Sequence, residues 1–242
     1  NSRDGLRLKQ QGRREKLDRL ARDCQQLEDR ARERLQRAKV LFDMENSLEG
    51  FSGSVKYVMA QAQKGALQGV CGPVSRLIQV EDRYALAIEI ALGASLQHIV
   101  VQDEGMAKRA IGMLKSAKAG RATFLPLTTV KGRRLSEPWL EGMEGFLGLA
   151  AGLVGCDPQF SGVVDQLLGR VAVAEDLDCA TLIAQRGGHR FRVVTLDGQV
   201  INAGGSMTGG YAARSAGILS RAKEIEALRA QARGYEDQAG AL

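Results

Sequence analysis

The residue types that most often carry out chemistry are sparse in this chain. Its 242 residues include only four cysteines, which lie far apart at Cys24, Cys71, Cys156 and Cys179. None belongs to the paired CxxC pattern of a zinc site, and only two histidines, His98 and His189, are available as further ligands. No constellation of serine, cysteine and carboxylate residues accompanies either histidine. We therefore expect no metal, no cofactor and no catalytic centre, and we expect the cysteines to be reduced.

The most specific local feature is a glycine-rich segment, VINAGGSMTGG at residues 200–210. Four of its last seven residues are glycines, which indicates backbone that needs positive φ or that approaches another group closely. A phosphate loop would carry GxxxxGK[ST] or GxGxxG between a strand and a helix, and neither pattern occurs here. Three interpretations stay open: a plain turn, a phosphate site, or contact with the backbone of another protein at an exposed strand edge.

The charge and hydropathy of the chain narrow the possible classes of protein only slightly. Lys and Arg number 34 against 28 Asp and Glu, a net charge of +6, and the basic excess is spread thinly. Such a balance occurs both in proteins that bind polyanions and in proteins that do not. The longest apolar runs are strand-sized, far below the roughly 18 residues of a membrane span. We expect a soluble, cytoplasmic domain with no membrane contact, taken from a longer protein because Asn1 is not preceded by Met.

Both ends of the chain carry the three-and-four spacing of apolar residues that is typical of a coiled coil. In segment 1–49 this stripe comprises Leu17, Leu20, Cys24, Leu27, Ala31, Ala38 and Leu41. In segment 213–242 it comprises Ile218, Ile225, Leu228, Ala232, Tyr235, Ala239 and Leu242. A single stripe needs a partner helix, so we predict two arms that pack antiparallel on each other. The alternative is a pair of amphipathic helices packed against the central domain.

Between the arms, predicted strands alternate with predicted helices, which indicates a mixed α/β (α+β) domain. The strands are predicted at 74–80, 97–101, 122–125, 147–154, 171–174 and 191–196, and the helices at 55–64, 82–92, 104–118, 158–168 and 176–186. Two parts, 50–127 and 146–212, resemble each other, because Gly72 and Gly93 recur 76 residues later as Gly148 and Gly169. We predict two related subdomains and a surface linker at 128–145, which holds Lys131, Arg133 and Arg134.

Together these features resemble the hinge domain of bacterial SMC (structural maintenance of chromosomes) proteins. The resemblance covers about residues 50–225 and rests on a set of motifs. They are FSGSVKYV at 51–58, GPVSRLI at 72–78, ALAIEIALG at 85–93, QHIVV at 97–101, GRATFLPL at 120–127, VVTLDG at 193–198 and GGSMTGG at 204–210. The arms fit the family in pattern only, because coiled-coil sequences are interchangeable.

The resemblance implies a homodimerisation module at the tip of a long antiparallel coiled coil. In such hinges the first subdomain of one chain joins the second subdomain of the other by strand pairing. The interface residues implied here are Gly204, Gly205, Ser206, Met207, Thr208, Gly209 and Gly210, whose glycines would let two backbones approach. The whole protein is implied to be an ATPase that organises DNA at the nucleoid, with kleisin and accessory subunits at its heads. This chain has no P-loop and is expected not to be an enzyme.

The resemblance also implies weak, sequence-independent DNA binding near the junction with the coils. The matching residues are Arg214, Arg221 and Lys223, with Arg37 and Lys39 on the opposing arm. A solvated charged face is the competing interpretation of these residues. Two other functions stay open: an α/β ligand-binding domain that uses the 204–210 segment, and a monomeric coiled-coil adaptor that docks another protein.

Overall fold

The computed structural model describes residues 2–211 and 217–242, so Arg214 lies outside the described residues. The chain divides into two units. The first combines Asn1–Glu49 with Arg221–Leu242, and the second is Gly50–Ser220.

Within the described residues, helices and strands alternate through most of the second unit. The helices are α1 (Ser2–Asn46), α2 (Gly53–Gln63), α3 (Val74–Leu77), α4 (Asp82–Leu92), α5 (Glu104–Ala117), α6 (Ser161–Leu168), α7 (Leu177–Arg186) and α8 (Ile218–Gly240). The strands are β1 (Val70–Pro73), β2 (Ile78–Val80), β3 (Ile99–Val101), β4 (Phe124–Pro126), β5 (Phe146–Leu149), β6 (Val154–Cys156), β7 (Val171–Ala174), β8 (Arg192–Thr195), β9 (Val200–Ile201) and β10 (Met207–Thr208). The mixed α/β class predicted from the sequence is confirmed.

In the first unit, α1 packs antiparallel against α8 as a coiled coil, as predicted. The contacts run in opposite order along the two helices: Arg37 pairs with Glu224 at 2.7 Å, whereas the Cys24 thiol lies 3.9 Å from the carbonyl oxygen of Ala239. Side chains from both helices form one buried apolar cluster, which comprises Ala38, Leu41, Ile225 and Leu228, with Met44 packed against it. Because each helix buries only a narrow stripe, its outer face stays exposed.

The seam of this coiled coil differs from the predicted stripe at four positions, one of which is Leu242, 54% exposed beyond the end of α8. Arg34 is half-buried where the apolar pattern was broken, between Ala31 and Ala38. Arg221 is 6% exposed and occupies a seam position that the prediction had left out. Leu17 is 65% exposed, because it precedes the part of α1 that faces α8.

The second unit contains two halves with the same order of elements. In the first half, β1 pairs antiparallel with β3, and β3 pairs parallel with β4. In the second half, β5 pairs antiparallel with β7, and β7 pairs parallel with β8. Each parallel pair is bridged by a helix that begins after a capping aspartate, Asp103 or Asp176, which accepts a 2.8 Å hydrogen bond from the backbone three residues on. The two halves therefore share one topology.

The repeated glycines mark the same irregularity in both sheets. The register of β1 on β3 shifts between Val70 and Gly72, and that of β5 on β7 shifts between Phe146 and Gly148. Gly72 has φ +135° and Gly148 has φ +141°, a conformation that residues with a Cβ rarely adopt. The 76-residue spacing seen in the sequence thus reflects one β-bulge that occurs twice.

The two halves are joined by strand pairing and by a shared core. β2 pairs antiparallel with β6, so each half contributes one strand to a two-stranded sheet. Buried apolar side chains of both halves form a common cluster, which includes Ile88, Val100, Val164, Leu168 and Val173. Burial of each such side chain contributes roughly 1.5–3 kcal/mol, so the halves stabilise each other.

The two sheets differ at one edge. The first sheet ends at β4, with the order β1-β3-β4. The second continues past β8 to two further strands, with the order β10-β9-β8-β7-β5. Among the described residues, β9 and β10 therefore have no counterpart in the first sheet.

Two predicted strands are broken in the structure. Residues 74–80 were predicted as one strand, but Val74–Leu77 is the short helix α3, which follows Pro73, and only Ile78–Val80 is extended. Residues 147–154 were also predicted as one strand, but a 3-10 turn at Ala150–Gly152 separates β5 from β6. In both places the prediction rested on a run of apolar residues, which is compatible with a strand and with a helical turn.

The segment 128–145, predicted as a surface linker, packs alongside α6. The N–H of Gly132 donates to the carbonyl oxygen of Gly162 at 3.1 Å, and the N–H of Leu135 donates to that of Gly169 at 2.9 Å. Leu140, in a 3-10 turn of this segment, is 3% exposed. The close approach depends on glycine, because a Cβ on Gly132 would collide with the backbone of α6.

The bulge can be tested by the substitution Gly148→Ala. A Cβ at this position would lie 3.3 Å from Cδ2 of Leu153, and φ +141° strains any residue other than glycine. We expect the free energy of unfolding, measured by urea denaturation, to fall by about 1–3 kcal/mol. Gly152→Ala is the matched control, since nothing lies within 4 Å of its Cβ. Equal losses in the two variants would contradict the strained bulge.

Candidate functional site

The glycine-rich segment forms the outer edge of the second sheet. β9 and β10 pair antiparallel, with Met207 opposite Ile201 and Thr208 opposite Val200. The turn between them is closed by the N–H of Asn202, which donates to the carbonyl oxygen of Ser206 at 2.8 Å. The sequence left a turn, a phosphate site and contact at a strand edge open here, and in the structure Met207–Thr208 is an edge strand with exposed side chains.

The glycines of this segment are required by the conformation of a single chain. Gly204, Gly205 and Gly210 have φ of +88°, +91° and +134°. At Gly209 a Cβ would collide with the side-chain oxygen of Gln199. Local geometry therefore accounts for the three glycines with positive φ, whereas at Gly209 a Cβ would displace the Gln199 side chain. Their proposed purpose, to admit the backbone of a second chain, stays a prediction.

Most amide groups of the segment are hydrogen-bonded within the chain. The Gln199 side chain acts like a neighbouring strand: its Nε2 donates to the carbonyl oxygen of Gly210 at 3.0 Å, and its Oε1 accepts from the N–H of Gly210 at 2.8 Å. The N–H groups of Gly204 and Gly205 donate to the carbonyl oxygens of His189 and Asn202, at 2.8 and 2.9 Å. A phosphate loop instead directs several free N–H groups at one point. This arrangement disfavours phosphate binding.

The outer side of β10 carries unpaired backbone groups. Backbone groups in an antiparallel ladder alternate in direction, and the carbonyl oxygen of Ser206 is bonded to β9. The backbone N–H and C=O of Thr208 therefore also face β9. Those of Met207 and Gly209 face outward. No strand among residues 2–211 and 217–242 covers this side. Met207 is 58% exposed and Tyr211 is 97% exposed, so the edge has both the backbone groups and the exposed side chains of a surface for strand addition.

A second open edge lies on β4, in the first sheet. The carbonyl oxygen of Thr123 accepts from the N–H of Ile99, and the N–H of Leu127 donates to the carbonyl oxygen of Val101, each at 2.9 Å. Strand alternation then places the N–H and C=O of Phe124 on the side away from β3. This side of β4 has no partner strand within the described part of the chain.

The internal repeat shows what is missing beside β4. Ile99 and Ala172 are equivalent, because each lies four residues before a capping aspartate, Asp103 or Asp176. In the parallel pairs, Ile99 lies opposite Phe124 and Ala172 lies opposite Val193. Val193 is covered by β9, where it lies opposite Ile201. The edge of β4 that is equivalent to the covered edge of β8 is therefore open.

The predicted DNA contacts differ in their surroundings. Lys39 and Lys223 are exposed, and the Arg37 side chain is 59% exposed although it pairs with Glu224. Arg221 instead lies in the seam, where its Nη1 donates to the carbonyl oxygen of Glu49 at 3.3 Å. A charge this deeply buried is poorly placed to reach a phosphate, so the exposed set consists of Arg37, Lys39 and Lys223.

The titratable groups of the second unit have the environments of structural residues. Burial lowers the pKa of His98, whose Nδ1 is buried without a hydrogen-bond partner. Burial also raises the pKa of the Cys71 and Cys156 thiols, which favours their protonated form. The pKa of Asp176 is lowered by the hydrogen bond from the N–H of Cys179, as a helix cap requires. In the described ranges, no three His, Cys, Asp or Glu residues are grouped so that they could hold a metal ion.

None of the helices within residues 2–211 and 217–242 is both long and apolar enough to cross a membrane.

Comparison with known proteins identifies the family. The family model of the SMC protein flexible hinge domain matches residues 67–184 of this chain. The chromosome partition protein Smc of Bacillus subtilis is 42% identical over 207 residues, which cover 84% of this chain and 17% of that protein. Smc of Halothermothrix orenii is 39% identical over 204 residues, which cover 83% and 17% respectively. The chain thus spans about one sixth of the length of these relatives.

Solved structures give the same result. The SMC hinge domain of Geobacillus stearothermophilus, solved as an asymmetric dimer, superposes with a TM-score of 0.81 at 37% identity, over 96% of this chain and 94% of that chain. The hinge domain of the Pyrococcus furiosus SMC protein gives a TM-score of 0.56 at 27% identity, over 76% and 93%. The fold and these matches together define a hinge module of SMC proteins. The chain belongs to the SMC hinge domain family, as its motifs indicated.

Sequence reasoning missed three features of the site. The pair of hydrogen bonds between the Gln199 amide and Gly210 has no signature in sequence, because a glutamine in a turn is read as an ordinary solvent-facing residue. The open edge of β4 depends on which strands pair and cannot be read from one segment. The β9–β10 hairpin did have a signal, since two short apolar or β-branched runs flank the turn residues at 202–205.

Proposed function

We propose that the chain is a homodimerisation hinge, in which β10 of one copy pairs with β4 of a second copy. The observation that carries this proposal is the presence of two open strand edges in each chain, one in each half. With twofold symmetry, both edges of both copies are covered and two equivalent interfaces form. The dimer of the Geobacillus stearothermophilus hinge supports the proposal. The internal use of the amide groups of the 204–210 segment leaves the ligand-binding alternative without support.

The internal repeat supplies the direction of the pairing. β9 runs antiparallel to β8, and β4 is the equivalent of β8 in the first half. A strand from a second copy that takes the equivalent position would therefore run antiparallel to β4. The outward-facing groups of Phe124 would exchange hydrogen bonds with those of Met207 or Gly209. Three strands of one copy and five of the other would then form one continuous sheet.

We infer a larger role from the relatives, which are chromosome partition proteins. The hinge would join two coiled-coil arms of a cytoplasmic, nucleoid-associated SMC ATPase into a ring or rod that organises DNA. ATP hydrolysis and the binding of kleisin and accessory subunits would belong to heads outside this chain. The antiparallel pairing of α1 with α8 supports this role, because it provides the start of such an arm.

We also propose weak, sequence-independent DNA binding on the exposed basic side chains of Arg37, Lys39 and Lys223, with Arg214 as a further contact. Arg221 is left out of this surface because it is buried in the seam. Arg37 would give up its ion pair with Glu224 to contact a phosphate, so its net contribution to DNA affinity would be small. Contacts of this kind read the phosphate backbone and not the base sequence.

The dimer is tested by sedimentation velocity of the native chain and the variant Met207→Lys. The native chain is expected near twice its 26.1 kDa at micromolar concentration. Lysine at an edge strand opposes pairing with another strand, so the dimer dissociation constant should rise about tenfold or more. Leu182→Lys on α7 is the matched control, since Leu182 is 56% exposed and lies on neither edge. A native chain that stays monomeric would refute the hinge proposal and favour the adaptor.

DNA binding is tested by fluorescence anisotropy of a labelled duplex at several salt concentrations. The double variant Lys39→Glu, Lys223→Glu should bind more weakly, and its slope of log K against log salt should flatten by about 1.8 for two lost phosphate contacts. The control Lys9→Glu, Lys16→Glu changes the net charge equally at two exposed positions farther along α1. If the control loses as much affinity, binding reflects the charge of the whole arm and not this surface.

A further inference from the structure

A small cleft opens beside the amino ends of β3 and β4. Its volume is about 270 Å³, and its lining includes Val55, Ala94, Gln97, His98, Arg121 and Thr123. This volume is below the roughly 300–1,000 Å³ of typical ligand pockets, so the cleft suits a single side chain better than a cofactor. Because the lining combines apolar surface with a guanidinium and an amide, an aromatic side chain with a polar end would match it best.

Tyr211 has the chemistry that the cleft requires, and its side chain packs hardly at all against the described residues of its own chain. It is 97% exposed, which makes it the most exposed large apolar side chain among the described residues. It follows β10 by three residues, and its immediate neighbour Gly210 is held in place by both hydrogen bonds of the Gln199 amide. The backbone that leads to this tyrosine is therefore fixed relative to the edge strand.

We propose that Tyr211 of each copy fills this cleft on the other copy and acts as an anchor residue of the dimer. The inference rests on the proposed function, because it uses the antiparallel pairing of β10 with β4. In that pairing, the chain leaving β10 runs toward the amino end of β4, which is the end where the cleft lies.

Two registers of the antiparallel pairing are allowed, and both bring Tyr211 to the cleft. The outward-facing groups permit either Gly209 or Met207 opposite Phe124. The first form places Tyr211 opposite Ala122, and the second places it opposite Gly120. Both residues adjoin the cleft-lining residue Arg121. A parallel pairing would instead take Tyr211 to the carboxyl end of β4, away from the cleft.

The side chains around the cleft define its interactions with the ring. Ala94 offers exposed apolar surface beside the buried Val55, and the guanidinium of Arg121, an exposed residue of the lining, would stack on the ring face. Gln97 holds the rim in position, because its Oε1 accepts from the N–H of Ser52 at 2.8 Å and its Nε2 donates to the carbonyl oxygen of Gly50 at 3.2 Å. The cleft is thus held open before a second copy arrives.

The test is the dimer dissociation constant, measured by sedimentation for a set of variants. Tyr211→Ala should raise it about tenfold or more, as expected for a buried aromatic anchor, whereas Tyr211→Phe should stay within about threefold because it keeps the ring. Ala94→Trp, which fills the cleft at an exposed position, should weaken the dimer as well. The double variant Tyr211→Ala, Ala94→Trp should dimerise no more weakly than Ala94→Trp alone, because both changes remove the same contact. Arg121→Ala is a second cleft variant that adds no bulk, and Leu182→Ala is the surface control.

The outcomes separate this inference from the proposed function. If Met207→Lys weakens the dimer and Tyr211→Ala does not, the anchor is refuted while the strand pairing stands. If the effects of Tyr211→Ala and Ala94→Trp simply add, Tyr211 binds elsewhere and the cleft assignment is overturned. If the native chain is monomeric, the proposed function itself fails.

Discussion

Unpaired backbone groups at the edge of a β-sheet are the constraint on which this structure depends. A sheet that stops leaves N–H and C=O groups that can pair with another strand, and a protein must cover, distort or use that edge. In the described part of this chain, no strand covers the outer sides of β4 and β10. The proposed dimer uses both, so that the groups left unpaired in one copy are paired by the other. The exposed Met207 and Tyr211 and the cleft beside β4 follow from the same requirement.

The internal repeat explains why the two edges are complementary. The halves share the order of elements, the mixed parallel and antiparallel pairing and the glycine bulge, and they pack through β2, β6 and a common core. They differ in the β9–β10 hairpin, which covers β8 in the second half and is missing beside β4 in the first. A module with two equal halves would expose two edges of the same kind. In the proposed dimer, the added hairpin makes one half the donor of a strand and the other half the acceptor.

Much of this architecture could be predicted from the sequence. The heptad spacing identified the coiled coil, the alternation of elements identified the class, and the spacing of Gly72 and Gly148 identified the repeat. The reason for the glycines at 204–210 could not be predicted, because glycine needed for positive φ and glycine needed for close approach have the same signature. The burial of Arg221 was missed because a charged residue is read as outward-facing, whereas this one lies in the seam and donates a hydrogen bond to the carbonyl oxygen of Glu49. The open edge of β4 is a property of strand pairing and leaves no trace in any one segment.

The most direct measurement of the central claim is crosslinking between copies through introduced cysteines. In either allowed register, Thr208 of one copy lies opposite Thr123 of the other or two residues from that position, on the same face. The double variant Thr123→Cys, Thr208→Cys, treated with a short bis-maleimide, is predicted to give a covalent dimer, while each single variant stays at the background set by the four native cysteines. Equal crosslinking in a single variant, or a dimer that forms without crosslinking in the double variant, would contradict the pairing of β10 with β4.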